Sequence, residues 1–135
     1  MKRTLSLSTE PTDESKSIVN INEISSIVNH STDIVFCDIL ENISESNLQN
    51  FMTELFNKIK PGGYVVFKIL DAKKVCAEFL QNKISNTDFA QIFRFKENVV
   101  MLDLIYTFID SNVFNVTKLD QEKSYITLTV QRVSV

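Results

Sequence analysis

Glycine is nearly missing from this 135-residue chain: it occurs twice, as Gly62 and Gly63, and nowhere earlier. Loops that wrap main-chain amides around a phosphate or nucleotide use glycine for positive φ and close backbone approach, so the chain ahead of Gly62 holds no ready-made loop of that kind. Tryptophan is absent, histidine occurs once as His30, and the two cysteines, Cys37 and Cys76, have no CxxC spacing. No metal site is expected from such a set. Both cysteines read as buried small apolar residues in a reducing compartment. The only prolines are Pro11 and Pro61, which excludes a Pro-rich or fibrous chain. Basic excess is missing too: the net charge is −3 and the pI about 5.1, so nucleic acid is not a default partner. No apolar run reaches the roughly 18 residues of a membrane span, and the basic start Met1-Lys2-Arg3 is not followed by a signal-like apolar stretch, so a cytoplasmic protein with no membrane association is expected.

What is present is ordinary for a packed globule. Hydrophobic residues make up 44% and charged residues 23%, in a length that suits one domain, residues 1–135. Leu5-Ser6-Leu7-Ser8 alternates as a short strand and is stopped by the polar segment Glu10 to Ser15, a solvated loop; Ser17 to Ile21 is the next strand candidate. Asn22 to Thr32 carries Ile24, Ile27 and Val28 at helical spacing and reads as a helical turn. Asp33-Ile34-Val35-Phe36-Cys37 is a continuous apolar run of the kind central parallel strands show. From Glu45 to Ile59, Leu48, Phe51, Met52, Leu55, Phe56 and Ile59 recur with helical period, with Ser44 as the cap. Lys60-Pro61-Gly62-Gly63 ends that helix in a tight reversal, and Tyr64 to Leu70 is a second buried strand. Strand, helix and strand in such short compass predict a βαβ crossover with parallel strands. Asp71 is placed to cap a helix with Val75, Cys76, Phe79 and Leu80 inward, and Asn98 to cap another through Leu102, Ile105 and Tyr106. Val113–Leu119 and Ser124–Val133, separated by Asp120 to Lys123, predict an antiparallel hairpin.

Taken in order, Asp33 to Ile43 with its Leu40-Glu41, the amphipathic helix, Ile59-Lys60-Pro61-Gly62-Gly63 and the strand ending in Leu70-Asp71 resemble the middle of a class I S-adenosylmethionine-dependent methyltransferase, nearest the short type 11 kind. The likeness spans about two-thirds of the chain. It implies a compact α/β, Rossmann-like fold with a mostly parallel sheet and a C-terminal antiparallel hairpin, and S-adenosylmethionine as cofactor. In that family the first strand runs into Gly-x-Gly and the second ends in an acid that holds the ribose. Laid on this chain those positions are Ser8-Thr9-Glu10 and Asn22, with Asp38 also on the cofactor side. Asn42 stands where the family has histidine, and little chain is left between Asn22 and Asp33 for a third strand. A non-glycine residue forced left-handed costs about 1–2 kcal/mol and a lost charge-assisted hydrogen bond about 1.5–3 kcal/mol. Together these weaken the cofactor roughly a hundredfold or more.

Asp38 and Glu41, just past the carboxyl end of a central strand, sit where open α/β sheets hold ligands, and could orient a substrate or act as a base; they are equally at home as loop acids. Lys68 within an apolar strand is similar to the lysine of ribose 2′-O-methyltransferases, with Asp38 and Glu122 completing an imitation of that set, or it snorkels to the sheet's edge. Phe89, Phe93 and Phe95, interleaved with Arg94 and Lys96, form a helix face and lid over the sheet rather than a base-stacking surface. The function expected is a methyltransferase-like domain whose S-adenosylmethionine site has decayed, so that the cofactor binds weakly or not at all. Such a domain serves as a binding or assembly module with a protein partner or further copies of itself. The alternative is an active methyltransferase on a small-molecule or glycan acceptor, with Asp38, Glu41 and Lys68 as catalytic candidates.

Overall fold

The computed structural model describes residues 3–94, 96 and 98–133. Six strands form one sheet: β1 (Thr4–Ser8), β2 (Ile18–Asn20), β3 (Thr32–Cys37), β4 (Ile59–Leu70), β5 (Phe114–Glu122) and β6 (Tyr125–Arg132), in the order β2-β1-β3-β4-β6-β5. The first four run parallel to one another, and β6 pairs antiparallel with both β4 and β5. The expected crossover is present: Val35 lies opposite Val65 and Phe36 opposite Val66, and α1 (Glu45–Lys58) connects the two strands.

Strand residues point alternately to the two faces, and in this sheet the faces differ sharply. Leu5, Leu7, Val19, Val35, Cys37, Val65, Phe67, Ile69, Leu128 and Val130 are buried in one core with Leu48, Met52 and Leu55 of α1. Ile24 and Ile27, in and just after a 3-10 turn (Ile21–Ser26), and Ile105 of α4 (Leu102–Phe108) join that core, so the intervening segments cover one face. On the other face Ile18, Ile34 and Val66 are outside the core, Phe36 is 45% exposed, and Lys68 and Tyr125 are exposed.

The open face follows from one short connection. Parallel strands are normally joined by about a dozen or more residues, usually a helix, but β1 and β2 are joined by residues 9–17 with only a 3-10 turn (Glu14–Lys16). No helix of the described residues is long and apolar enough to cross a membrane.

Several local expectations need correction. Lys60 to Gly63 is not a plain reversal but an irregularity inside β4: Thr32 pairs with Ile59 and then Ile34 with Tyr64. Gly62 has φ +84, and a Cβ on Gly63 would meet the Asp33 carbonyl at 2.8 Å, Ile59 Cγ2 at 2.9 Å and the Lys60 carbonyl at 2.9 Å. The bulge needs both glycines for different reasons. Gly63→Ala is expected to cost about 2–3 kcal/mol, since two of its obstacles are backbone, whereas Gly62→Ala, with open space but a left-handed φ, costs about 1 kcal/mol. Urea unfolding midpoints in that order check the assignment.

Ser44 occupies the N-cap position of α1, but its side chain makes no cap bond; its Oγ instead accepts from Asn47 Nδ2 at 2.9 Å. Arg132, only 6% exposed, closes the other end by donating from Nη1 to the carbonyls of Phe56 and Ile59 at 3.1 and 3.2 Å. Asp71 does cap α2 (Ala72–Leu80), accepting from the Lys74 amide at 3.1 Å. Of that helix Val75 is buried, but Cys76 and Leu80 are exposed, because α2 packs beside α3 (Asn86–Phe93) and not flat on the sheet. Asn98 does not cap α4, whose N-cap is Met101. Phe89 stacks on Phe79 with centroids 4.2 Å apart and lies 5.1 Å from Phe93, so this aromatic group joins α2 to α3; Phe95 lies outside the described residues.

The cysteines also divide. Cys37 is buried and Cys76 exposed, against the expectation that both are inside. Desolvation pushes the Cys37 thiol up to about 12, reinforced by the charges of Asp38 and Glu41 and opposed by the Ile39 backbone. At neutral pH Cys37 is therefore a thiol and not a nucleophile. Native protein should release one equivalent of thiolate colour with an aromatic disulfide reagent, from Cys76, and two in denaturant; two in the native state would contradict the burial of Cys37.

Candidate functional site

Open parallel sheets hold ligands beyond the carboxyl ends of their strands, here the exits of β1, β2, β3 and β4. At the β1 exit the chain bonds to itself. The Glu10 amide donates to Ser8 Oγ at 2.9 Å, and Asn20 Nδ2 donates to the carbonyls of Thr9 and Glu10 at 3.1 and 2.8 Å. The Asn20 amide donates to Thr12 Oγ1, whose hydroxyl is in turn bonded to Glu23. At the β2 exit the amide of Asn22 donates to Asn20 Oδ1 at 2.8 Å. The Glu10 amide and the Thr9 and Glu10 carbonyls just past β1 are thus engaged in a local network organised by Ser8 and Asn20. Asn20 was not singled out from the sequence. Its signal was an asparagine ending a strand, where the side chain readily bonds the neighbouring main chain.

Ser8 is half-buried and Thr9, Glu10 and Asn22 are exposed. Asn22 and Asn42 share a cavity of about 260 Å³ with Ile21, Ser44, Asn47 and Phe51, smaller than the roughly 300–1,000 Å³ of typical ligand pockets.

The three catalytic candidates separate into two environments. Asp38 is exposed directly after β3, and the register that sets Cys37 opposite Phe67 brings it level with Lys68 on the next strand. Lys68 Nζ lies 4.8 Å from the centroid of the Tyr125 ring, at the carboxyl margin of the open face. Glu122 is opposite Tyr125, two strands from β4, so it is not drawn into a set with Lys68. Glu41 is elsewhere in character: 2% exposed, its Oε1 accepts from the Leu70 amide at 2.8 Å and lies 3.7 Å from Lys96 Nζ. Its own carbonyl accepts from the Asn98 amide at 3.0 Å. A carboxylate held this way ties the exits of β3 and β4 to the segment before α4. Lys96, read from sequence only as a spacer between aromatics, is its ionic partner. Among the described residues no cluster of His, Cys, Asp and Glu could hold a metal ion.

This strand order, with parallel strands followed by an antiparallel C-terminal pair, is that of a class I methyltransferase-like fold. No protein family's sequence profile matches the chain, and no curated protein matches it. Solved structures do. A SAM-dependent methyltransferase from Archaeoglobus fulgidus superposes with a TM-score of 0.66 at 9% identity, over 97% of this chain and 86% of that one. The PH0226 protein of Pyrococcus horikoshii gives 0.68 at 14% identity over 96% and 81%. An O-methyltransferase family protein from Burkholderia thailandensis gives 0.68 at 12% identity over 98% of this chain and 51% of its own. The fold is shared; the exits of β1 and β2 are where this chain's chemistry must be judged on its own residues.

Proposed function

We propose that this chain is a methyltransferase-like domain that does not hold S-adenosylmethionine and acts as a non-catalytic binding or assembly module. The observation that carries the reading is the β1–β2 connection. It has no glycine and no helix, and the Glu10 amide and the Thr9 and Glu10 carbonyls are bonded to Ser8 and Asn20. Seating an adenosine there means breaking that network and gaining no acid for the ribose, since Asn22 stands in its place. The burial and bonding of Glu41 support the same reading, because a carboxylate buried against Leu70 and Lys96 is not free to face an acceptor.

Thermal unfolding with millimolar S-adenosylmethionine or S-adenosylhomocysteine tests it. A site with ligand at about 100 times its Kd gains about 2.7 kcal/mol, several degrees for a chain of this size. The expected shift is nil, and a clear rise in Tm overturns the reading. A second reading, an active methyltransferase on a small molecule or glycan, draws support from Asp38 and Lys68, which stand exposed at adjacent strand ends. Methyl transfer from labelled S-adenosylmethionine that is lost in Asp38→Asn and Lys68→Met would favour it.

A further inference from the structure

Parallel sheets are almost always covered on both faces, and the uncovered face here is broad. Ile34 and Phe36 of β3 lie beside Tyr64 and Val66 of β4, with Tyr125 and the aliphatic stem of Lys68 at the carboxyl margin. Around them the strands β1 and β6 offer mostly serine, threonine and glutamine side chains. Charge is sparse: Lys68 is the one charged side chain on the inner strands of this face, Asp38 follows β3 level with it, and the β5 margin adds Lys118, Asp120 and Glu122, two of which already pair at 3.2 Å. A chain of net charge −3 therefore presents a face that is close to neutral.

We infer that two copies of this chain pack their open sheet faces together, each serving as the missing layer of the other. The inference names the partner for the assembly-module reading and rests on it. Six strands about 4.8 Å apart and some 20 Å long give a face of roughly 580 Å² per copy, or about 1,200 Å² for the pair, the lower bound of specific interfaces. Near neutrality lets like meet like without repulsion, and a two-fold axis crossing the strands at Phe36 and Val66 sets each Lys68 ammonium near the other copy's Tyr64 ring, a cation–π contact. Edge-to-edge association is the poorer route. The β2 edge is three residues long and the β5 edge carries alternating charge, both features that discourage strand pairing.

Sedimentation equilibrium from micromolar to submillimolar chain reads the outcome directly. The expected mass is twice the 15.5 kDa of one chain, falling to one chain in Phe36→Lys and Val66→Lys. Leu119→Lys changes a side chain that is 50% exposed away from this face and should remain dimeric. Far-UV circular dichroism confirms folding. Should Phe36→Lys unfold, Thr129→Lys, opposite Val66 on β6, carries the test. A wild-type mass of one chain at submillimolar concentration overturns the inference, as does a dimer indifferent to all the face variants. A monomer that also shows no Tm shift with S-adenosylmethionine removes the dimer and leaves the module reading standing. A dimer that binds S-adenosylmethionine does the reverse.

Discussion

Phe67→Ala is expected to lower the free energy of unfolding by about 3–5 kcal/mol, while Val66→Ala, one residue earlier, lowers it by under about 1 kcal/mol when measured on dilute, monomeric chain. The ring of Phe67 is fully buried and meets Phe56 edge-on with centroids 6.0 Å apart; Phe56 in turn lies 4.6 Å from Phe114, so the three rings join β4, α1 and β5. Deleting the Phe67 ring leaves a cavity under α1 that the rigid sheet cannot close. Val66 points to the opposite face, where no helix waits, so its truncation opens no void. Equal costs at the two positions, read from urea unfolding, would mean that both faces are covered within one chain.

Glu41→Ala is expected to cost about 3 kcal/mol and Glu41→Gln about 1–2 kcal/mol. Alanine strips the Leu70 amide of its acceptor in a buried setting, a penalty of about 1–3 kcal/mol, and leaves Lys96 without its counter-charge, part of the roughly 3–5 kcal/mol lost when one partner of a buried pair is removed. Lys96 is 19% exposed on its side chain and can turn toward water, which holds the sum near the lower figure. Glutamine keeps an acceptor for Leu70 and loses only the charge. The same variants separate scaffold from catalyst. A structural Glu41 predicts a lowered urea midpoint in Glu41→Ala and partial recovery in Glu41→Gln. A catalytic Glu41 predicts undisturbed stability in both and a loss of turnover.

The covered half of the molecule is legible in the chain because burial imposes a period. The helical recurrence from Leu48 to Phe56, the apolar run at Ile34 to Cys37 and the alternation in β6 each report a surface that must leave water. The β3–α1–β4 crossover follows from their order and spacing. Less was legible where single side chains replace a period. Nothing in the pattern distinguishes a loop acid from one folded back onto the Leu70 amide, so Glu41 and Asp38 looked equivalent; the tertiary contact with Lys96, well over a helix length away in sequence, separates them. Asn20 is similar, since an Asx contact reads as an ordinary turn until its partners Thr9 and Glu10 are placed. The bulge at Gly62-Gly63 passed as a helix stop because the same residues serve both purposes.

By itself the sequence determined the α/β class, the parallel crossover, the terminal hairpin and the lack of a glycine cradle, because each of these rests on local period, residue type or chain length. Only the tertiary structure decided that the run Ile34-Val35-Phe36 is buried on one side alone and that one of its two carboxylate candidates is a buried tie. Hydrophobic residues in a strand state that a face can be covered. What covers it depends on where the short β1–β2 link lets the chain go.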